Sequence, residues 1–285
     1  MKYLVLGCNG MAGHMISLYL KKRGYEVDGF AKSDCKLVRT IIGDARDTVT
    51  IRKLIEQGRY QAVINCVGLL NQFAENDHEA AVLLNSYLPH FLSKITEQMD
   101  TKIIHISTDC VFSGSRGKYT ERDYPDGESF YDRTKAMGEI NNNKDLTFRM
   151  SIIGPDIHKN GIGLLNWFMQ QKHCVKGYKY AIWTGQTTLQ LAKTIENATL
   201  QGAYGLYNMV PNTSISKYDL LNLFNKYLRK KPIQIDSEEN FQINKSLERT
   251  NFESFNYKIP EYEQQILELG NWMRHHADLY PHYEL

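Results

Sequence analysis

The chain has no apolar run approaching the roughly 20 residues that cross a bilayer, no internal repeat and no low-complexity tract. Neither sign of charge is in excess: 34 Lys and Arg stand against 32 Asp and Glu, a net of +2. A nucleic-acid surface needs clustered cations, so none is expected. The run Arg229-Lys230-Lys231 is short and reads as a solvated patch. Five cysteines, an odd number without paired spacing, exclude a disulfide framework and suit a reducing cytoplasm. His275-His276 lacks a matching ligand set, so no metal is expected. The opening Met1-Lys2-Tyr3-Leu4-Val5-Leu6-Gly7 reads as a first strand, not a signal peptide.

The 285 residues suffice for one or two domains. Apolar, β-branched segments at 2–6, 25–30, 39–42, 61–67, 102–107 and 146–150 read as strands. Helical segments at 10–22, 47–57, 78–98 and 130–141 alternate with them. That alternation predicts an α/β, Rossmann-like doubly wound parallel sheet over residues 1–154. Residues 155–285 are expected to form a smaller substrate-binding lobe, with about 184–202 returning to the first domain. Helices are expected there at 162–171, 188–200, 216–227 and 263–275, with short strands such as 204–209.

Glycines 7, 10 and 13 leave the first strand and enter the first helix. Such a loop lets the backbone approach a pyrophosphate, and the helix start offers free N–H groups and partial positive charge. The second strand ends on Ala31, where an NAD-selective site would carry an acid, and Lys32 and Ser33 follow. NADPH is therefore expected, with NADH as the alternative. Asn9 and Met11 in the loop, Asp44 after the third strand, Cys66-Val67-Gly68 after the fourth, Ser107 and Met150 complete the expected cofactor residues. Asp44 reads equally well as a helix cap.

Tyr131 and Lys135 lie one helical turn apart and share a face. Tyr227 and Lys231 repeat the spacing, so the spacing alone proves nothing. The first pair is distinguished by following Ser107-Thr108-Asp109 and the glycine loop. An ammonium beside a phenol is expected to lower its pKa, making Tyr131 a general acid. A hydroxyl such as Thr108 would hold the same oxygen, and Lys135 would also hold the cofactor's ribose.

These segments resemble the extended short-chain dehydrogenase/reductases, and within them the dTDP-4-dehydrorhamnose reductases. The resemblance is carried by Gly7 to Gly13, Ser107-Thr108-Asp109-Cys110-Val111-Phe112-Ser113-Gly114, Tyr119-Thr120-Glu121 and Tyr131 to Glu139. It continues through Phe148-Arg149-Met150-Ser151 and Trp183-Thr184-Gly185-Gln186-Thr187-Thr188 to Gly205-Leu206-Tyr207-Asn208. It implies reduction at C4 of a nucleoside-diphosphate 4-keto-6-deoxyhexose, with Thr108, Tyr131 and Lys135 catalytic. Where the family carries an aromatic after the sixth strand this chain has Ile152 and Ile153, which makes a UDP-linked N-acetylated sugar an alternative to a dTDP sugar. Asp109, Val111, Phe112, Asn160, Trp183 and Gln186 are the expected substrate residues, although Trp183 reads equally well as core. Trp167 is expected in the core and His14 in packing or capping. A homodimer is compatible with the sequence.

Three rivals stand beside this. A 4,6-dehydratase would carry Asp-Glu after the threonine, and here Cys110 takes the second place. A 4-epimerase would favour NAD, against Ala31. A regulatory subunit that binds NADP without turnover could keep both Tyr131 and Lys135.

Overall fold

The computed structural model describes residues 1–285. Strands β1 (Lys2–Leu6), β2 (Glu26–Ala31), β3 (Arg39–Ile42), β4 (Ala62–Asn65), β5 (Lys102–Ile106) and β6 (Leu146–Arg149) follow the expected segments. Helices α1 (Met11–Lys22) and α2 (Thr48–Gly58) connect the first four of them. Their hydrogen bonds build a fully parallel, seven-stranded sheet of order β10-β6-β5-β4-β1-β2-β3, with β10 (Gly205–Asn208) at one edge. Chain order reverses between β1 and β4, so ligands are expected at the carboxyl ends there. Tyr3, Val5, Ile64, Ile104 and Phe148 pack one face of the sheet, and Leu4, Leu6, Val63 and Ile103 the other. Burial on both faces accounts for the near-continuous apolar strands.

The boundary at 154 is not a clean cut. Helix α8 (Thr188–Leu200) leans on α1, where Glu196 accepts from Tyr19 (2.6 Å), Arg23 (2.8 Å) and Tyr25 (2.9 Å). Strand β10, expected in the small lobe, instead extends the main sheet by pairing with β6. The return to the first domain therefore reaches residue 208. A two-stranded ladder of β7 (Ser151–Ile153) and β9 (Gly185–Thr187) bridges the parts.

The lobe itself carries a small sheet, with β8 (Val175–Trp183) between β11 (Ile215–Ser216) and β12 (Ile235–Asn244). Helices α7 (Leu164–Met169), α9 (Lys217–Tyr227) and α10 (Tyr262–His275) cover it around Phe168, Phe224, Ile266 and Leu269. No helix is long and apolar enough to cross a membrane.

The helical region after β4 is more broken than expected. A short helix α3 (Asn71–Asn76) precedes α4 (His78–Ala81), a π-turn over Val82–Tyr87 and α5 (Leu88–Ile95). Pro89 opens α5 and has no N–H to give to the Asn85 carbonyl, so the regular ladder cannot run through. Helix α6 (Phe130–Met137) packs on that π-turn. Ser86 donates to Thr134 O at 2.8 Å, and Asn85 Nδ2 donates to Thr134 Oγ1 at 3.1 Å.

Candidate active site

The glycine loop is shaped by three different demands. Gly7 has φ +81°, which side chains disfavour. A Cβ at Gly13 would lie 2.1 Å from Gly7 O, so only glycine lets the helix sit this close to the strand. A Cβ at Gly10 would meet only Gly7 O, at 3.5 Å, and would project into open space. Gly10 is also the N-cap of α1 and no side chain caps it. Uncapped N–H groups beside room that a Cβ would fill suit a pyrophosphate. Asn9 ties the loop to the end of β2, donating to Ser33 O (2.6 Å) and Ser33 Oγ (3.0 Å). Met11 is half-buried, and its sulfur approaches Gly163 from across the cleft.

After β2, Ala31 is buried while Lys32 and Ser33 are exposed. Lys32 Nζ lies 3.4 Å from Asp44 Oδ2, and Arg46 grips the same carboxylate at 2.6 and 3.0 Å. The Arg46 guanidinium first, then its backbone N–H, and Lys32 more weakly hold Asp44 well below the usual carboxylate range. Asp44 thus gathers two cations at this corner. Arg46 lies in the turn between β3 and α2, where no motif of the sequence pointed. Past β4, Val67 N donates to Asn65 Oδ1 (3.1 Å), and Gly68 faces Asn85 Oδ1. Burial pushes the Cys66 thiol up to about 12.

At the end of β5, Thr108 caps a 3₁₀ turn over Asp109–Val111, accepting Cys110 N–H at 3.1 Å and donating to Asp109 Oδ1 at 3.3 Å. The Tyr131 phenol lies close to that hydroxyl. Tyr131 is the second residue of α6, whose start is fixed twice. Ser129 and Asp132 form a reciprocal capping box. Glu75, from the unexpected α3, accepts Phe130 N–H at 2.8 Å and Tyr131 N–H at 3.2 Å. One turn on, buried Lys135 donates from Nζ to Ile106 O at 2.8 Å and lies 3.4 Å from His105 Nε2. Thr108, Tyr131 and Lys135 therefore converge at the carboxyl end of β5.

The electrostatics differ from expectation. Tyr131 is raised, not lowered: burial acts first, the Cys110 thiol next, and the carboxylates of Asp109 and Asp132 add to it against the Thr108 hydroxyl. Lys135 is itself lowered to about 8 by burial, opposed by Glu139 and Cys66. A buried ammonium is a weak source of phenolate stabilisation because burial penalises its own charge. Burial also raises Asp109, against the amines of Lys245 and Lys217 and hydrogen bonds from Thr108 and Ser151.

Several expected site residues lie elsewhere. Ser107 turns from the cleft and donates to Glu139 Oε1 at 2.7 Å, joining the buried Glu139–Arg149 pair. Val111 and Phe112 are fully buried, Phe112 stacking on Tyr119 at 4.2 Å, because the 3₁₀ turn rotates them into the core. Met150 and Gln186 are also core. Gln186 Nε2 donates to Met209 O (2.8 Å) and Met150 Sδ (3.3 Å), while its Oε1 accepts from Thr194 (2.7 Å). Trp183 packs against Tyr262 inside the lobe. Asn160 is exposed on a hollow shared with Ile162 and Trp167. Trp167, expected in the core, is 44% exposed, because α7 turns Phe168 inward instead. His14 is buried between Gly10 O (3.1 Å) and Tyr280 OH (3.0 Å).

Fold and site define an extended short-chain dehydrogenase/reductase. The chain belongs to the RmlD substrate binding domain family, whose model matches residues 1–280. It is 32% identical over 142 residues to a probable low-salt glycan biosynthesis reductase of Haloferax volcanii, covering 47% of this chain and 46% of that protein. It is 24% identical over 234 residues to methionine adenosyltransferase 2 subunit beta of Xenopus laevis, covering 76% of this chain and 69% of that one. The chain spans about half the length of the reductases it matches. Its fold is similar to that of dTDP-4-dehydrorhamnose reductase from Bacillus anthracis in complex with NADP, with TM-score 0.77, 20% identity and 94% and 98% of the two chains covered.

Proposed function

We propose that this chain uses NADPH to reduce the C4 keto group of a nucleoside-diphosphate 4-keto-6-deoxyhexose, linked to dTDP or UDP. One observation carries the reading: the Tyr131 phenol is buried close to Thr108 and Asp109 at the end of β5, in a fold whose glycine helix start has no side-chain cap. A dinucleotide whose pyrophosphate sat at that helix start would supply the hydride. Gly10 leaves room for its pyrophosphate, and Lys32 and Arg46 would meet a 2′-phosphate. Ala31 offers no carboxylate to oppose that phosphate.

The chain's own residues handle the proton. Tyr131, kept protonated through neutral pH by burial, donates from Oη to the oxygen forming at C4. Thr108, held by Asp109 and the Cys110 N–H, stands close to the phenol and can hold the same sugar oxygen. Cys110, raised to about 12 by burial, is neither acid nor base near neutral pH, which argues against the dehydratase. Lys245 and Lys217 face Asp109 from the lobe and give the substrate side the cationic character that a diphosphate requires.

The regulatory-subunit reading is favoured by one observation, the long match to the methionine adenosyltransferase β subunit. Measuring NADPH oxidation against a panel of dTDP- and UDP-linked 4-keto-6-deoxy sugars separates the two. Turnover with any of them supports the reductase, and NADPH binding without turnover on all of them supports the subunit.

A further inference from the structure

His105, the penultimate residue of β5, is a fully buried imidazole to which the proposed proton chemistry gives no task. It lies between Asn65 on β4 and Lys135 on α6. Its Nδ1 is 3.2 Å from Asn65 Nδ2, and its Nε2 is 3.4 Å from Lys135 Nζ. The orientation of the Asn65 amide is set from outside this pair, because its Oδ1 accepts Val67 N–H at 3.1 Å. The NH₂ therefore faces the ring. An amide NH₂ can only donate, so Nδ1 must be the bare, accepting nitrogen. Burial, with Lys135 and His90 adding to it, keeps the imidazole neutral, well below its ordinary pKa. A neutral imidazole carries one N–H, which leaves it on Nε2, aimed at Lys135. An ammonium has no lone pair and would meet that hydrogen head-on. An amine has one, and can accept it while still donating to Ile106 O.

We propose that His105 is a positioning residue that acts through Lys135, its Nε2–H favouring the uncharged amine over the ammonium. The groups facing Lys135 divide clearly. Glu139 on its own helix and the Cys66 thiol beyond β4 favour the charged form, while burial opposes it. His105 from β5 opposes it too, while His90 on α5 is exposed and bonds Met137 O at 2.8 Å. The consequence belongs to the proposed reduction. After Tyr131 gives its proton to the sugar oxygen, the phenolate needs one back. A lysine balanced near neutral pH can pass a proton to it and regain one from water. An unperturbed lysine, near 10.4, holds its proton too firmly to serve as freely.

The test uses the full-length protein labelled with ¹⁵N-histidine and ¹³Cε-lysine, followed by NMR from pH 6 to 11. Loss of signals in His105→Gln and Lys135→Met assigns the two residues. The expected result is a His105 ring in the Nε2–H form and a Lys135 titration near 8. In Asn65→Asp, which keeps the acceptor for Val67 N–H, a carboxylate now faces Nδ1. The ring should switch to Nδ1–H, and Lys135 should titrate at least one unit higher, a tenfold change in its proton affinity. His105→Gln adds no charge and should also raise Lys135, because its amide oxygen can turn to the ammonium. A wild-type ring in the Nδ1–H form, a Lys135 that titrates as an ordinary lysine, or a Lys135 titration unchanged in His105→Gln overturns the proposal. Neither readout needs a substrate, so failure of the reductase reading would show separately, as absent turnover.

Discussion

The Glu75 carboxylate accepts the first two N–H groups of the helix that carries Tyr131, at 2.8 Å from Phe130 and 3.2 Å from Tyr131. A short helix invisible to sequence reasoning thus holds the proposed acid in place. Removing such a cap costs about 0.5–2 kcal/mol. Glu75→Ala should lower kcat several-fold while leaving the KM for NADPH nearly unchanged, because the glycine loop is untouched. Steady-state kinetics check this.

The two glycines of the loop should fail in different ways. Gly13→Ala drives a methyl into Gly7 O and should lower Tm sharply, an overpacking cost of about 1–3 kcal/mol or more. Gly10→Ala meets no close atom and should fold with near-normal Tm, yet lose most NADPH binding. Thermal unfolding and cofactor titration of both variants test the assignment. A Gly10→Ala protein that binds normally contradicts it.

The large sheet was legible because β1, β4, β5 and β6 are apolar and β-branched on both faces. Strand β12 was not, because most of its residues face solvent. It is pinned to β8 partly by the cross-strand pairs Lys176–Glu238 and Lys179–Glu239. Such charges read as loop when no apolar period accompanies them. In the site, the order of Ser107-Thr108-Asp109 and the Tyr131–Lys135 helix raised the expectation that they share one corner, and the roles given to them came from the family resemblance. The inward turn of Val111 and Phe112 was not, since a three-residue 3₁₀ turn has no sequence period. Asn85 could have been noticed as a lone amide in an apolar helical stretch. It exchanges bonds with Leu69 N and O at 2.8 and 2.9 Å, tying the loop after β4 to α6.

Lys135 should leave a signature in folding stability. Its folded pKa, about 8, lies below the ordinary lysine value of 10.5. Between those values the unfolded chain binds more protons, so this group's contribution to stability rises as pH increases from about 8 to about 10.5. Below 8 it is destabilising, by roughly 3 kcal/mol as an order of magnitude. Lys135→Met should therefore be more stable than wild type at pH 7, and the advantage should shrink through that window. Urea unfolding at pH 7, 8 and 9 measures it.

Cofactor choice should follow charge at the end of β2. Lys32→Ala and Arg46→Ala should each raise the KM for NADPH about tenfold, roughly 1.4 kcal/mol, with little effect on NADH. Ala31→Asp should reverse the preference by repelling the 2′-phosphate and holding a 2′-hydroxyl. The ratio of kcat/KM for the two nucleotides reports all three, and an unchanged ratio in Ala31→Asp would contradict the nucleotide assignment.

The most direct test of the central claim compares wild type with Tyr131→Phe, following NADPH oxidation with a 4-keto-6-deoxy sugar nucleotide alongside NADPH binding. General acid catalysis typically contributes about 10²–10⁴-fold, so kcat should fall by that order while the dissociation constant for NADPH stays within about twofold. A Tyr131→Phe enzyme that turns over at the wild-type rate would contradict the account.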